Sequence, residues 1–284
     1  MSRKVNVACL QIRAYAEVAD ALKHALELAT EAVASGAQLI VLPEYAGGLK
    51  TQGRFFDPPV FDEANHPMVI GLRQFAQERK VWVVLGSVAI KSDGPKFINR
   101  TFVIDSDGTV QARYSKLHMF DINVSESQSY KESEKVQPGK QAVVVDTPFG
   151  KLGLSICYDL RFPGLYRDLA QAGAEILLIP AAFTKRTGEA HWHILNQARA
   201  IENGAFVIAA CAVGAIPGGG ESYGHSLVVD PWGNIIAQGG TDTAVVQCTI
   251  DVDDVVKTRA KIPSLSHDKP YSIEVCPTQS EFVA

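Results

Sequence analysis

Along this chain the spacing of apolar side chains switches repeatedly between the two-residue period of a strand and the 3.6-residue period of a helix. Val5 to Leu10 and Gln38 to Leu42 read as strands, with an amphipathic helix over Ala19 to Ala34 between them and a second helix over Pro67 to Glu78. Strands follow at Val81 to Ile90, Arg100 to Asp105 and Thr109 to Tyr114. The Asp-Ser-Asp-Gly turn between the last two predicts a hairpin, so the sheet is not purely parallel.

The second half repeats the alternation. Gln141 to Asp146 and Leu152 to Ile156 read as strands, Pro163 suits the first turn of a following helix, and Gly173 suits its end. Strand Ile176 to Ile179, helix Trp192 to Asn203, strands Ala205 to Ala212, Ser226 to Val229 and Val245 to Ile250, and a helix over Val255 to Lys261 complete the pattern. Such alternation predicts an α/β fold. No linker or low-complexity stretch divides it, so residues 1–284 read as one domain with a C-terminal tail over 272–284.

One segment echoes another. EAVASGAQLIVLPEYA in the first half matches DLAQAGAEILLIPAAF in the second, each a helix end, a Gly, a buried strand and a Pro. Two such halves packed sheet to sheet, with helices outside, would form a four-layer α-β-β-α sandwich; a chance repeat of one helix-Gly-strand unit is the other reading. Only the first copy carries a carboxylate after its proline, Glu44, where the second has Ala181.

Composition narrows the partners. A length of 284 residues allows a core without disulfide or metal staples. A net charge of −4 gives no bulk attraction for nucleic acid or anionic membrane. No apolar run approaches the roughly 20 residues of a membrane span. Gln11 and Arg13 interrupt the first strand before a signal-peptide core can form. Five cysteines without a CxxC pair suggest neither a disulfide framework nor a zinc site, and fit a reducing, cytoplasmic setting. Nothing calls for a cofactor or a metal. His191 and His193 share a face only in a strand, and their surroundings read as helix; GAIPGGGES lacks the Lys of a phosphate loop and reads as a mobile rim.

Three reactive side chains fall at the carboxyl ends of predicted strands: Glu44 after LIVLP, Lys116 after QARYS and Cys157 after LGLSI. That edge of an α/β sheet is where ligands bind. Taken singly, each has a plainer reading as a solvated acid, a surface lysine and an inert buried thiol. Cys157 has the best local case, because a helix start beside it would favour thiolate and offer N–H donors to an oxyanion. No His stands in a partner context, so Glu44 and Lys116 are the candidate base and charge stabiliser.

LPEYAGG, YSKLHMFD and SICYDLRFP together resemble the three signature segments of the nitrilase superfamily of carbon-nitrogen hydrolases, in order and spacing. The resemblance implies the four-layer sandwich, a Glu44 base, a catalytic Lys116 and a Cys157 nucleophile. Glu132, before Gln-Pro-Gly, matches a further family glutamate. IPAAFTKRTGEAHWHIL and the segments after it resemble the branch of omega-amidases and deaminated-glutathione amidases. That implies hydrolysis of a small linear carboxylated amide, and commonly a homodimer or larger homo-oligomer. The chain departs from the branch at Gly164, where Glu is usual.

On this reading the Tyr158 backbone N–H joins Lys116 at the oxyanion, and Glu132 aims Lys116. Arg161 would grip a substrate carboxylate, or else form a structural pair with Asp159 or another acid. Tyr45, Phe183 and Thr184 are pocket candidates, with core packing or loop exposure as the alternative. Rival activities are N-carbamoyl amino-acid hydrolysis, nitrile hydrolysis and non-catalytic binding on the same scaffold.

Overall fold

The computed structural model describes residues 3–53, 55–125 and 128–276. Two mixed sheets face each other. The first runs in the order Ala244–Asp251, Lys4–Gln11, Leu39–Val41, Trp82–Lys91, Phe97–Ile104 and Val110–Ser115, with Val60–Phe61 added beside Trp82–Lys91. The second runs Val143–Thr147, Gly150–Leu154, Ile176–Leu178, Phe206–Ala209, Leu227–Val229 and Ile235–Gln238. At the centre of each lie three parallel strands flanked by antiparallel ones.

Side-chain alternation builds the layers. On Lys4–Gln11, Val5, Val7 and Cys9 point between the sheets and pack in one cluster with Leu152, Leu154 and Ile176 of the other half. Ala8 and Leu10 point the opposite way, toward α1 (Val18–Ala34) and α2 (Pro67–Arg79). The face of α1 is Ala21, Ala25, Ala29 and Ala32, small residues that let a helix lie close on its sheet. On the far side α3 (Pro163–Gln171) and α4 (Lys185–Asn203) cover the second sheet with Leu165, Tyr166, Leu169, Trp192 and Ala200. A short α5 (Asp253–Lys261) follows the last strand. The result is the α-β-β-α sandwich, and the hairpin at Asp105 closes as expected through Asp105 N to Thr109 O at 2.9 Å.

The internal echo is structural. Gly36 ends α1 and Gly173 ends α3, both with positive φ, and each leads through a buried parallel strand to a proline. The copies meet at Gly86, where an added Cβ would lie 2.0 Å from Leu42 O and 2.6 Å from Pro180 Cβ.

Two expectations change. α4 starts at Lys185 rather than Trp192, because its first turns carry no apolar period and turn only Gly188 inward, against the Tyr223 ring. The glycine run is not a mobile rim. It is the turn of the hairpin Val213–Ala215 with Glu221–Tyr223, pinned where Thr51 N meets Pro217 O at 2.8 Å and Thr51 Oγ1 meets Gly219 O at 2.7 Å. That hairpin, Asp121–Ser125 with Gln128–Lys131, and Ile235–Gln238 are too short for the alternation test to find. The tail is exposed through Cys276; residues 277–284 lie outside the described residues. No helix among the described residues is long and apolar enough to cross a membrane.

Gly86→Ala should therefore drive backbone from backbone and lower unfolding stability by about 3 kcal/mol or more. Urea denaturation reads this directly, and an unchanged midpoint would contradict the packing described.

Candidate active site

Each reactive residue stands just past a strand, and local backbone chemistry sets its direction. Gly86 and Ser87 form a bulge in Trp82–Lys91, and Ser87 grips the loop that follows Leu39–Val41. Ser87 Oγ accepts Tyr45 N at 3.0 Å, Ser87 O accepts Ala46 N at 2.9 Å, and Ser87 N donates to Pro43 O at 3.2 Å. This grip holds Tyr45 at φ 52, a strained left-handed conformation, and turns Glu44 inward. Glu44 Oε1 accepts from Asn99 Nδ2 at 2.9 Å, while Glu44 Oε2 accepts from Ala182 N at 2.9 Å. The first echo copy thus supplies the acid and the second supplies its backbone donor.

Lys116 is the centre of charge. Its Nζ lies 2.8 Å from Glu44 Oε1, and 3.0 and 2.9 Å from the two oxygens of Glu132. All three side chains are buried. Glu132 also accepts from Phe120 N at 2.6 Å and from Tyr45 Oη at 3.2 Å. Burial alone would pull the ammonium down, but Glu132 and Glu44 outweigh it and hold Lys116 well above its ordinary value. Burial likewise lifts the Tyr45 phenol, with Glu132 and Glu44 adding to it, so Tyr45 remains a donor.

Cys157 follows Gly150–Leu154 at φ 49, and its N–H donates to Pro180 O at 2.9 Å. Burial pushes its thiol well above the usual range; Glu44 repels the thiolate and accepts the thiol's hydrogen bond, and Lys116 only partly opposes this. The expectation that a helix start favours thiolate is therefore corrected. Cys157 opens a short 3-10 turn, Cys157–Arg161, and α3 begins only at Pro163. Its low-dielectric surroundings and the Glu44 carboxylate outweigh the turn's few aligned amides.

The remaining predicted positions separate. Glu132 is buried on Lys116 rather than exposed on a surface loop. Tyr158 stands at the start of the turn, its ring edge-on to Phe120 and Phe162. Arg161 does not pair with Asp159. Its guanidinium lies 5.5 Å over Phe183 and 6.0 Å over Tyr158, with Nη2 3.3 Å from His191 Nδ1, and no carboxylate among the described residues pairs with it. Phe183 is buried against Trp192. Thr184 caps the chain into α4, with its hydroxyl committed to Thr187 Oγ1 at 2.7 Å. Tyr45 is buried with its hydroxyl spent on Glu132. Sequence reasoning missed Asn99, Ser87 and Phe120, polar or backbone contacts that no local motif marks.

The arrangement places a neutral thiol beside a carboxylate that can take its proton and an ammonium that can meet a developing oxyanion. The family model for carbon-nitrogen hydrolases matches residues 6–260. A deaminated glutathione amidase of Yersinia enterocolitica is 38% identical over 270 residues, 94% of each chain. The omega-amidase NIT2 of Bos taurus is 34% identical over 270 residues, 95% of this chain and 97% of that one.

Among solved structures, the C. elegans NitFhit protein superposes with a TM-score of 0.85 at 33% identity over 94% of this chain, which spans 65% of that longer one. A mutant amidase from Nesterenkonia sp., with acrylamide added at its active-site cysteine, has a TM-score of 0.74 at 26% identity, covering 91% of this chain and 98% of that one. Fold, site geometry and relatives agree: the chain belongs to the carbon-nitrogen hydrolase family, in the nitrilase superfamily.

Proposed function

We propose that this amidase cleaves small linear carboxylated amides, releasing ammonia through an acyl thioester on Cys157. The observation that carries the assignment of roles is the contact of one ammonium, Lys116, with both Glu44 and Glu132, beside the Cys157 thiol. Glu44 takes the thiol proton as sulfur attacks the carbonyl. The tetrahedral oxyanion forms between Lys116 Nζ and the Tyr158 N–H. Collapse breaks the carbon-nitrogen bond, with Glu44 returning its proton to the departing ammonia. Water then attacks the thioester, giving its proton to Glu44, which returns it to sulfur as the acid leaves.

Charge conservation supports this sequence. Before attack the hollow holds one ammonium, two carboxylates and a neutral thiol. After attack Glu44 is neutral and the oxyanion bears its charge, so the net charge is unchanged. In a site of low dielectric, relocating charge toward a waiting ammonium is far cheaper than creating it. Losing an oxyanion donor costs about 3 kcal/mol of barrier, whereas Tyr45 donates to the Glu132 carboxylate and touches no reacting atom. Lys116 therefore outweighs Tyr45, whose role is to hold Glu132.

Arg161 supports the carboxylated substrate class, since its guanidinium faces the aromatic wall of Tyr158 and Phe183 with no acid of its own. The relatives named deaminated glutathione amidase and omega-amidase point the same way. We read residues 1–284 as one domain because a single core cluster spans both sheets. A homodimer or larger assembly through α4 is supported by Ile194, Ile201 and Trp232, exposed on that side of the molecule. Five unpaired thiols support a reducing, cytoplasmic setting.

Two experiments test these roles. On an amide panel, mass spectrometry should find the acyl group on Cys157, and Glu44→Gln should lower turnover by about a thousandfold. Turnover of N-carbamoyl amino acids or nitriles, with none of carboxylated amides, would overturn the substrate class. Arg161→Met should raise KM for a carboxylated amide by about 10- to 100-fold with kcat little changed. An equal effect on an uncharged amide would remove Arg161 from substrate binding.

A further inference from the structure

The chemistry rests on two segments that belong to different sheets. Lys116 follows Val110–Ser115 of the first, and its backbone is bonded to that half: Lys116 N to Asn99 O at 3.0 Å, and Gly139 N to Lys116 O at 2.8 Å. Cys157 follows Gly150–Leu154 of the second, where its N–H meets Pro180 O. Nothing in either sheet's ladder sets the distance between ammonium and sulfur.

Besides Glu44, which reaches both halves at the reacting atoms, one side chain ties the two backbone segments that carry Lys116 and Cys157. Asp159 is 0% exposed. Its Oδ2 accepts from Ile156 N at 2.8 Å and Tyr114 Oη at 2.6 Å. Its Oδ1 accepts from His118 N at 3.1 Å and lies 2.7 Å from His118 Nδ1. Tyr114 and His118 stand two residues before and two after Lys116; Ile156 immediately precedes Cys157. Among the described residues, every hydrogen bond that joins the Tyr114-to-Phe120 segment to the Ser155-to-Phe162 segment ends on Asp159. The His118 ring also stacks on Phe162, with centroids 3.5 Å apart and planes at 6°, which closes the same junction from outside.

We propose that Asp159 is a positioning residue, which sets the separation of the Cys157 sulfur from the Lys116 ammonium through Tyr114 and His118. This rests on the assignment of Lys116 and Cys157 made above. Asp159 does not touch the reacting atoms. It holds both partners by their neighbours, so its loss lets the two segments shift on the order of 1 Å at the site. Misplacement on the order of 1 Å costs roughly a hundredfold in rate where substrate and catalytic group must be held in near-attack geometry. Arg161 shares the turn but makes no hydrogen bond to Asp159, its guanidinium resting on Tyr158 and Phe183, so the cost falls chiefly on the chemical step.

Asp159→Asn keeps the volume and removes the acceptor symmetry. It should lower kcat about a hundredfold with KM little changed, while the thermal midpoint of the purified protein still shows a folded chain. His118→Asn, whose amide nitrogen can stand near the Nδ1 position, should retain most of the activity that His118→Ala loses. Should Asp159→Asn fail to fold, Tyr114→Phe, which deletes one donor, should lower kcat by about fivefold at unchanged KM.

Acyl capture on Cys157 by mass spectrometry is measured in parallel. Wild-type acylation with undiminished kcat in both Asp159→Asn and Tyr114→Phe would overturn the proposal alone. So would a kcat loss fully matched by loss of folded protein, or His118→Ala and His118→Asn losing equally. Turnover that survives Cys157→Ala would instead overturn the assignment of the nucleophile, a separate failure.

Discussion

The site depends on one ammonium shared by two carboxylates. Lys116 reaches Glu44 and Glu132 within 3.0 Å, away from water, so each member of the trio is tolerable only because the others are present. An unpaired buried charge is among the costliest things a fold can hold, and this cost locks the three side chains in register more firmly than any single hydrogen bond does. Burial first, and then the Glu44 carboxylate, push the adjoining thiol up, with Lys116 only partly opposing them. A thiolate would add a second uncompensated charge to the same hollow.

The scaffold exists to make that meeting possible. Its two halves each offer a helix, a glycine, a parallel strand and a proline, and they are pressed together where Gly86 leaves no room for a Cβ. The halves then diverge in chemistry. Glu44 comes from the first, the Ala182 amide that holds it from the second, and Cys157 from the second again. Backbone strain is concentrated at the same place, with Tyr45 and Cys157 both held at positive φ by donors and acceptors of neighbouring strands. Function here is written on an approximate symmetry by breaking it.

Much of this was legible in the order of residues. Strand and helix periods located the long elements, the repeated helix-Gly-strand-Pro unit offered two facing halves as one of two readings, and strand ends singled out Glu44, Lys116 and Cys157. Short polar pieces such as Glu221–Tyr223 carry no period and stayed hidden, as did the first turns of α4, whose inward residue is a glycine. The role of Asp159 was hidden differently. Beside Arg161 in sequence it looks like half of a local ion pair, yet in space its carboxylate is consumed by Tyr114, His118 and Ile156, contacts set by how two sheets pack. How firmly Cys157 holds its proton was hidden for the same reason, since a local motif shows the turn's amides but not the burial and the carboxylate that long-range folding brings to the sulfur.

Charge in the hollow is already committed, which leaves Cys157 a neutral thiol until substrate arrives. The direct test is a pH titration of ultraviolet thiolate absorbance, taken as wild type minus Cys157→Ala so that the other four cysteines cancel. Because burial and Glu44 push the thiol well up, the difference signal should stay flat through neutral pH and rise, if at all, only in strongly alkaline solution. A Cys157 thiolate that titrates in at or below neutral pH would contradict the account.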